Sequence, residues 1–240
     1  MLYIIGLGLD VEGISQEGSK IVKRCKKVYL ENYTAEFPYT FEMIEDKLQK
    51  KIISANREKV ESLDIVDEAK RMDVALLVYG SPLTATTHIS LIQEAKRIGV
   101  RYRIIYSASI LDAVAETGLQ LYKFGKIASM PKWDKDKNFS PDSFMEIIKE
   151  NQSVGAHSLI LIDIGLSFED AAKQLAASAE NHKFSLKKVV VCERVGTEKK
   201  RIFYMPLEEI LDKGINIKAP FSIIIPSKLH FVEKEMLDSF

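Results

Sequence analysis

The sequence predicts an α/β protein built from two α/β domains, and three observations carry that reading. Apolar runs of strand length alternate with amphipathic stretches of helix length. Several runs are apolar throughout, as strands covered on both faces are. Glycine, serine or proline closes many of them, at the spacing of βα units in a parallel sheet. Right-handed crossovers are the expected connections.

Taken in order, Leu2 to Leu9 is a buried strand punctuated by Gly6 and Gly8. Ser15 caps a helix through Ile21, Val22 and Cys25, and Val28 to Leu30 is a short strand. Thr40 caps a helix with Phe41, Ile44 and Leu48 on one face, and Ile52-Ile53 follows as a strand. Asp64 to Met72 reads as helix. Val74 to Val78 is the clearest buried strand, ended by Gly80-Ser81-Pro82. Thr87 to Ile98 is helical with Gly99 as its stop, Arg101 to Tyr106 is a strand, and Ser109 caps a helix bearing Ile110 and Val114.

Between Lys126 and Asp142 the character changes to prolines, Trp133 and alternating Lys and Asp from Lys132 to Lys137. This stretch predicts the boundary between a first domain of mainly parallel sheet, residues 1–126, and a second with mixed sheet, residues 127–240. In the second, a helix follows Pro141, Ser158 to Ile162 is a strand, and Ser167 begins a helix through Leu175. Val189 to Cys192, Ile202 to Tyr204 and Phe221 to Ile225 are strands, with a short helix from Leu207 to Leu211. Hairpin-like polar stretches at 181–188 and 196–201 predict some antiparallel pairing.

Composition narrows the function. The 34 basic and 34 acidic side chains cancel, which argues against a general nucleic-acid binder with its basic excess. Apolar residues are 46% and charged residues 28% of the chain, so a disordered protein is excluded. No run approaches the roughly 18 unbroken apolar residues of a membrane span. The opening MLYIIGLGLD lacks the basic start of a signal peptide. Cys25 and Cys192 are far apart without metal-type spacing, which suggests a reducing, cytoplasmic setting.

Three loops follow strong strands: Gly6 to Asp10, Gly80 to His88, and Ser107 to Ile110. Open α/β sheets bind ligands at that carboxyl edge, where backbone groups are free to hydrogen-bond. Gly6-Leu7-Gly8 lacks the third glycine of a dinucleotide fingerprint, Val11 standing there instead. It can equally serve only to turn the backbone. The hydroxyl-rich Gly80 to His88 loop holds more such groups than one helix cap requires. His88 is either a base near a helix N-terminus or a packed side chain. His157, His182 and His230 are scattered, so no metal site is expected. Asp163 and Glu193 are either substrate-contacting carboxylates or structural ion pairs.

Taken together, Tyr3 to Leu9, Gly80 to His88, Ser109-Ile110 and Thr117 to Gly125 resemble the corresponding motifs of archaeal and eukaryotic diphthine synthases. His157 to Ile164 and Ile225 to His230 extend the resemblance over nearly the whole chain. These enzymes belong to the tetrapyrrole methylase superfamily. The resemblance implies homodimers that bind S-adenosylmethionine in a cleft between two α/β domains and release S-adenosylhomocysteine. It implies methylation of the modified histidine of translation elongation factor 2, on the amino group of an aminocarboxypropyl arm in archaeal members. Carried over by position, the cofactor contacts are Leu9, Ser81, Thr84, Ser109, Ile110, Ile162, Val195 and Phe221. Gly80-Ser81-Pro82 departs from the family's usual Gly-Asp-Pro, and the chain is shorter than many relatives after Ile164. Two alternatives stay open: a precorrin-type tetrapyrrole methyltransferase, and a non-catalytic binding module of the same fold, suggested by Ser81.

Overall fold

The computed structural model describes residues 1–134 and 136–240. Lys135, part of the alternating Lys/Asp stretch, lies outside them. Two compact units divide the chain, Met1–Ile110 and Leu111–Phe240. The boundary expected at 126/127 lies further along, inside the second unit.

In the first unit β1 (Leu2–Gly6), α1 (Gln16–Arg24), β2 (Lys27–Glu31), α2 (Phe41–Leu48) and β3 (Ile53–Ala55) come first. They are followed by α3 (Arg57–Glu61), α4 (Asp64–Glu68), β4 (Val74–Val78), α5 (Ile89–Arg97) and β5 (Tyr102–Ile105). The strands form one sheet in the order β3-β2-β4-β1-β5, every pair parallel. The period of two explains the apolar runs. Leu2, Ile4, Val74, Leu76 and Val78 pack into one layer, while Tyr3, Ile5, Ala75 and Leu77 pack into the other.

The expected caps are present. Ser15 Oγ accepts from Gly18 N at 3.0 Å, and Thr40 Oγ1 from Met43 N at 3.4 Å. Gly99, at φ 72°, stops α5. An unexpected short helix, α3, precedes the one expected over 64–72, which is α4 and ends at Glu68. Asn56 caps the first, and Leu63, at φ 65°, turns the chain into the second.

The second unit holds α6 (Ile110–Ala113), which begins at the boundary, then β6 (Ala128–Met130), α7 (Phe144–Ser153), β7 (Ser158–Ile162) and α8 (Phe168–Asn181). After them come β8 (Lys188–Glu193), β9 (Arg201–Pro206), α9 (Leu207–Asp212), β10 (Phe221–Ile225) and α10 (Phe231–Leu237). The sheet order is β6-β7-β10-β8-β9, parallel only between β6 and β7.

The mixed sheet was expected, but its antiparallel pairs have a different source in part. The 196–201 stretch does join the β8–β9 hairpin. By contrast, 181–188 only leads α8 into β8, because α8 continues to Asn181, beyond Leu175. The remaining antiparallel pairs come from β10, inserted between β7 and β8. The stretch read purely as a boundary contains β6, whose three residues are too few to show a period. The terminal helix α10 was not anticipated, since it buries only Glu233 and Leu237 and shows no apolar stripe.

Candidate functional site

At the carboxyl edge of the first sheet the three expected loops lie against one another. Gly8 and Gly80 exchange backbone hydrogen bonds, Gly8 N to Gly80 O at 3.0 Å and Gly80 N to Gly8 O at 2.9 Å. The Ser107 hydroxyl donates to Gly13 O at 2.9 Å. Glycine is required for these approaches. A Cβ on Gly6 would stand 2.6 Å from Gly80 O and 2.7 Å from Pro82 Cδ, and one on Gly8 would stand 2.9 Å from Ser107 Oγ. Gly8 and Gly80 also sit at φ 72° and 73°. The first GxG therefore does more than turn the backbone, because it lets three loops share one place.

Five expected contacts lie on these loops. Leu9 is buried, and its carbonyl accepts from the Tyr79 hydroxyl at 3.2 Å. Ser81 and Thr84 are half-buried and bracket a turn closed by Thr84 N to Ser81 O at 3.2 Å. Ser109 is buried, and Ile110 opens α6. Between Ser81 and His88 the backbone passes through left-handed conformations at Leu83 (φ 70°) and Ala85 (φ 53°). Such strain in residues with side chains is often held at functional sites.

The other three expected contacts share one edge of the second sheet. Because β10 runs antiparallel to both β7 and β8, its first residue, Phe221, falls at the ends where β7 and β8 finish. Ile162 ends β7, Phe221 pairs with Glu193 at the end of β8, and Val195 follows, buried. Phe221 also meets Phe168 edge-on, with ring centroids 5.6 Å apart.

The candidate acid–base groups resolve into structural roles. Asp163 accepts from Lys132 N at 3.2 Å and Ile164 N at 3.0 Å, tying the ends of β6 and β7 together. Glu193 is buried and paired across the hairpin with Arg201. His88 is fully buried, and burial pushes its imidazole down to about 4, so it is neutral at pH 7. Asp10 caps its own loop by accepting from Glu12 N at 3.1 Å. These loops offer backbone groups, hydroxyls and shape, which serve alignment better than proton transfer.

The motifs of the second unit converge on a carboxylate that sequence reading missed. Glu233 is fully buried. Its oxygens accept from Gln120 N (3.0 Å), His230 N (2.7 Å) and Lys123 Nζ, and it faces His157 Nε2 at 3.3 Å. His157 Nδ1 accepts from Ser227 N at 2.9 Å, which leaves Nε2 to carry the proton. Burial by itself raises the pKa of Glu233, but the bonds from His230, Lys123, Gln120 and His157 outweigh it and hold the group down at about 2. Thus Thr117 to Gly125, His157 and Ile225 to His230 are fastened to each other.

The family of tetrapyrrole (corrin/porphyrin) methylases matches residues 1–211. The chain belongs to the tetrapyrrole methylase family. Within this methylase family it is 36% identical to the diphthine methyl ester synthase of Bos taurus over 272 residues, covering 100% of this chain and 95% of that protein. It is also 36% identical to the diphthine synthase of Methanocaldococcus jannaschii over 255 residues, covering 99% and 97%. A crystal structure of diphthine synthase superposes with TM-score 0.89 at 33% identity, covering 100% of this chain and 95% of that one. This methylase is accordingly a methyltransferase, and its family implies a methyl donor. Among the described residues no group of His, Cys, Asp and Glu is arranged to hold a metal ion.

Proposed function

We propose that this methyltransferase is a diphthine synthase that takes methyl groups from S-adenosylmethionine to the modified histidine of translation elongation factor 2. The observation that carries the reading is the convergence of three glycine-tight loops at the carboxyl edge of the parallel sheet, where five of the expected cofactor positions fall. The full-length similarity to diphthine synthases supports the acceptor. Leu9, Ser81, Thr84, Ser109 and Ile110 are the proposed contacts on the first unit, and Ile162, Val195 and Phe221 those on the second.

The glycines let the three loops close on one another and bring their backbone groups to one place. The buried Thr86 hydroxyl, without a partner among the described residues, is available as a polar contact. When bound, S-adenosylmethionine supplies an already activated sulfonium methyl. The residues then have only to hold an amine in line with it and exclude water, and such alignment is worth roughly 7–11 kcal/mol of barrier. That accounts for a site whose candidate carboxylates, Asp163 and Glu193, are engaged by other groups.

A homodimer in the cytoplasm completes the proposal. No helix among the described residues is long and apolar enough to cross a membrane. Both cysteines are free and buried, in keeping with a reducing compartment.

Ser81 stands where relatives usually carry Asp, so Ser81→Asp is expected to tighten S-adenosylmethionine several-fold through a charge-assisted hydrogen bond. Isothermal titration calorimetry reads this directly, and an unchanged Kd contradicts a cofactor contact at this position. The reading as a whole is tested by transfer of labelled methyl from S-adenosylmethionine to elongation factor 2 that carries the unmethylated arm.

A further inference from the structure

The loop from Ser81 to His88 holds two buried polar atoms with no partner among the described residues, Thr86 Oγ1 and His88 Nδ1. His88 has no exposed surface, and its other ring nitrogen, Nε2, faces the Tyr33 hydroxyl at 3.5 Å, the rings meeting edge-on. A neutral imidazole carries a single proton. A buried N–H with no acceptor is costlier than a bare lone pair, so the proton belongs on Nε2, directed at Tyr33 Oη. With its oxygen supplied by this donor, Tyr33 has its own proton left to give.

Its position gives that proton a destination. Tyr33 is half-buried just beyond the carboxyl end of β2, and β2 is hydrogen-bonded to β4, whose following loop carries Ser81 and Thr84. The Arg57 guanidinium lies over the Tyr33 ring, 5.1 Å from its centroid. Arg57 also pairs with Glu61 at 3.4 Å, an exposed contact that is easily exchanged. The nearby buried carboxylate of Glu31 is already engaged by Tyr33 N, Thr34 N and the Thr34 hydroxyl. An oriented O–H beside a guanidinium is a donor set for a carboxylate.

We propose that the Tyr33 hydroxyl, oriented by His88, binds the carboxylate of an amino-acid group at this sheet edge. The inference rests on the methyl-transfer reading, in which S-adenosylmethionine and the aminocarboxypropyl arm of the acceptor each carry such a carboxylate. Tyr33 touches the ligand, whereas His88 is a positioning residue.

Tyr33→Phe removes one oxygen and leaves the packing intact. Calorimetric Kd for S-adenosylmethionine and steady-state KM for unmethylated elongation factor 2 form the two arms. A rise of tenfold or more in Kd identifies the cofactor's carboxylate as the ligand. The same rise in KM, with Kd and kcat little changed, identifies that of the acceptor. His88→Gln, which keeps a side-chain N–H donor, is expected to lie nearer the wild type than His88→Leu in the same constant.

Both constants within twofold of wild type in Tyr33→Phe overturn the proposal. A wild-type protein that binds S-adenosylmethionine but leaves the factor unlabelled refutes the proposed acceptor alone, and the calorimetric arm then decides the role of Tyr33. A wild type that does neither overturns both.

Discussion

Gly6→Ala is expected to destabilise the first unit by about 2 kcal/mol and to weaken S-adenosylmethionine binding more than tenfold. The added methyl would stand 2.6 Å from Gly80 O, 2.7 Å from Pro82 Cδ and 3.1 Å from Ser107 Cβ. Two of these neighbours belong to the Gly80–His88 loop and the third to the loop after β5, so relief of the clash has to push loops apart. The Gly8–Gly80 bridge, held by bonds of 3.0 and 2.9 Å, is the first contact to give way. Denaturant unfolding measures the stability and calorimetry the affinity. Normal binding in a folded Gly6→Ala protein contradicts a cofactor site built on this convergence.

Glu233→Gln has the largest expected effect on stability. It removes the charge shared by Lys123, His157, His230 and Gln120 while keeping the size of the side chain. Breaking a buried ionic network from one side costs about 3 kcal/mol, a fall in Tm of roughly 6–12 °C for a chain of this length. The pH dependence has a definite sign. The carboxyl is held at about 2, below its ordinary 4.5, so its contribution is complete above about pH 4.5. It is lost progressively as the pH falls toward 2, and that acid-dependent loss is expected to shrink in Glu233→Gln. Because the network fastens segments of the second unit, kcat at a permissive temperature is expected to stay near wild type. A collapse of kcat in a fully folded variant assigns Glu233 to the reaction instead.

How much of this was legible in the chain follows from the range of the forces involved. Val74 to Val78 declares itself because all five side chains are buried on one face or the other of a covered sheet. Ser15, Thr40 and Ser167 are legible as caps because the amide each one bonds lies three residues ahead. Gly6, Gly8 and Gly80 marked the place of the candidate site, though not the reason for it. The close approach of Gly6 to Gly80 exists only once β1 and β4 are neighbours.

Tyr33, Tyr79 and Glu233 were invisible for the same reason. The part played by Tyr33 depends on sheet order, which sets β2 beside β4. The buried state of Glu233 depends on donors from Gln120 and Lys123, more than a hundred residues away in sequence. An acid in a charged terminal helix reads as a solvated one until those donors are seen. In this chain, motifs of the second unit that carry the family resemblance are fastened to one another by the Glu233 network.

The central claim, methyl transfer to elongation factor 2, meets its most direct test in one incubation. The purified chain, S-adenosylmethionine labelled in its methyl group and elongation factor 2 bearing the unmethylated aminocarboxypropyl arm are combined, and the factor is analysed by peptide mass spectrometry. The predicted result is label on the modified histidine alone, absent when the factor lacks the arm. Binding of S-adenosylmethionine with no label on the factor would contradict the account.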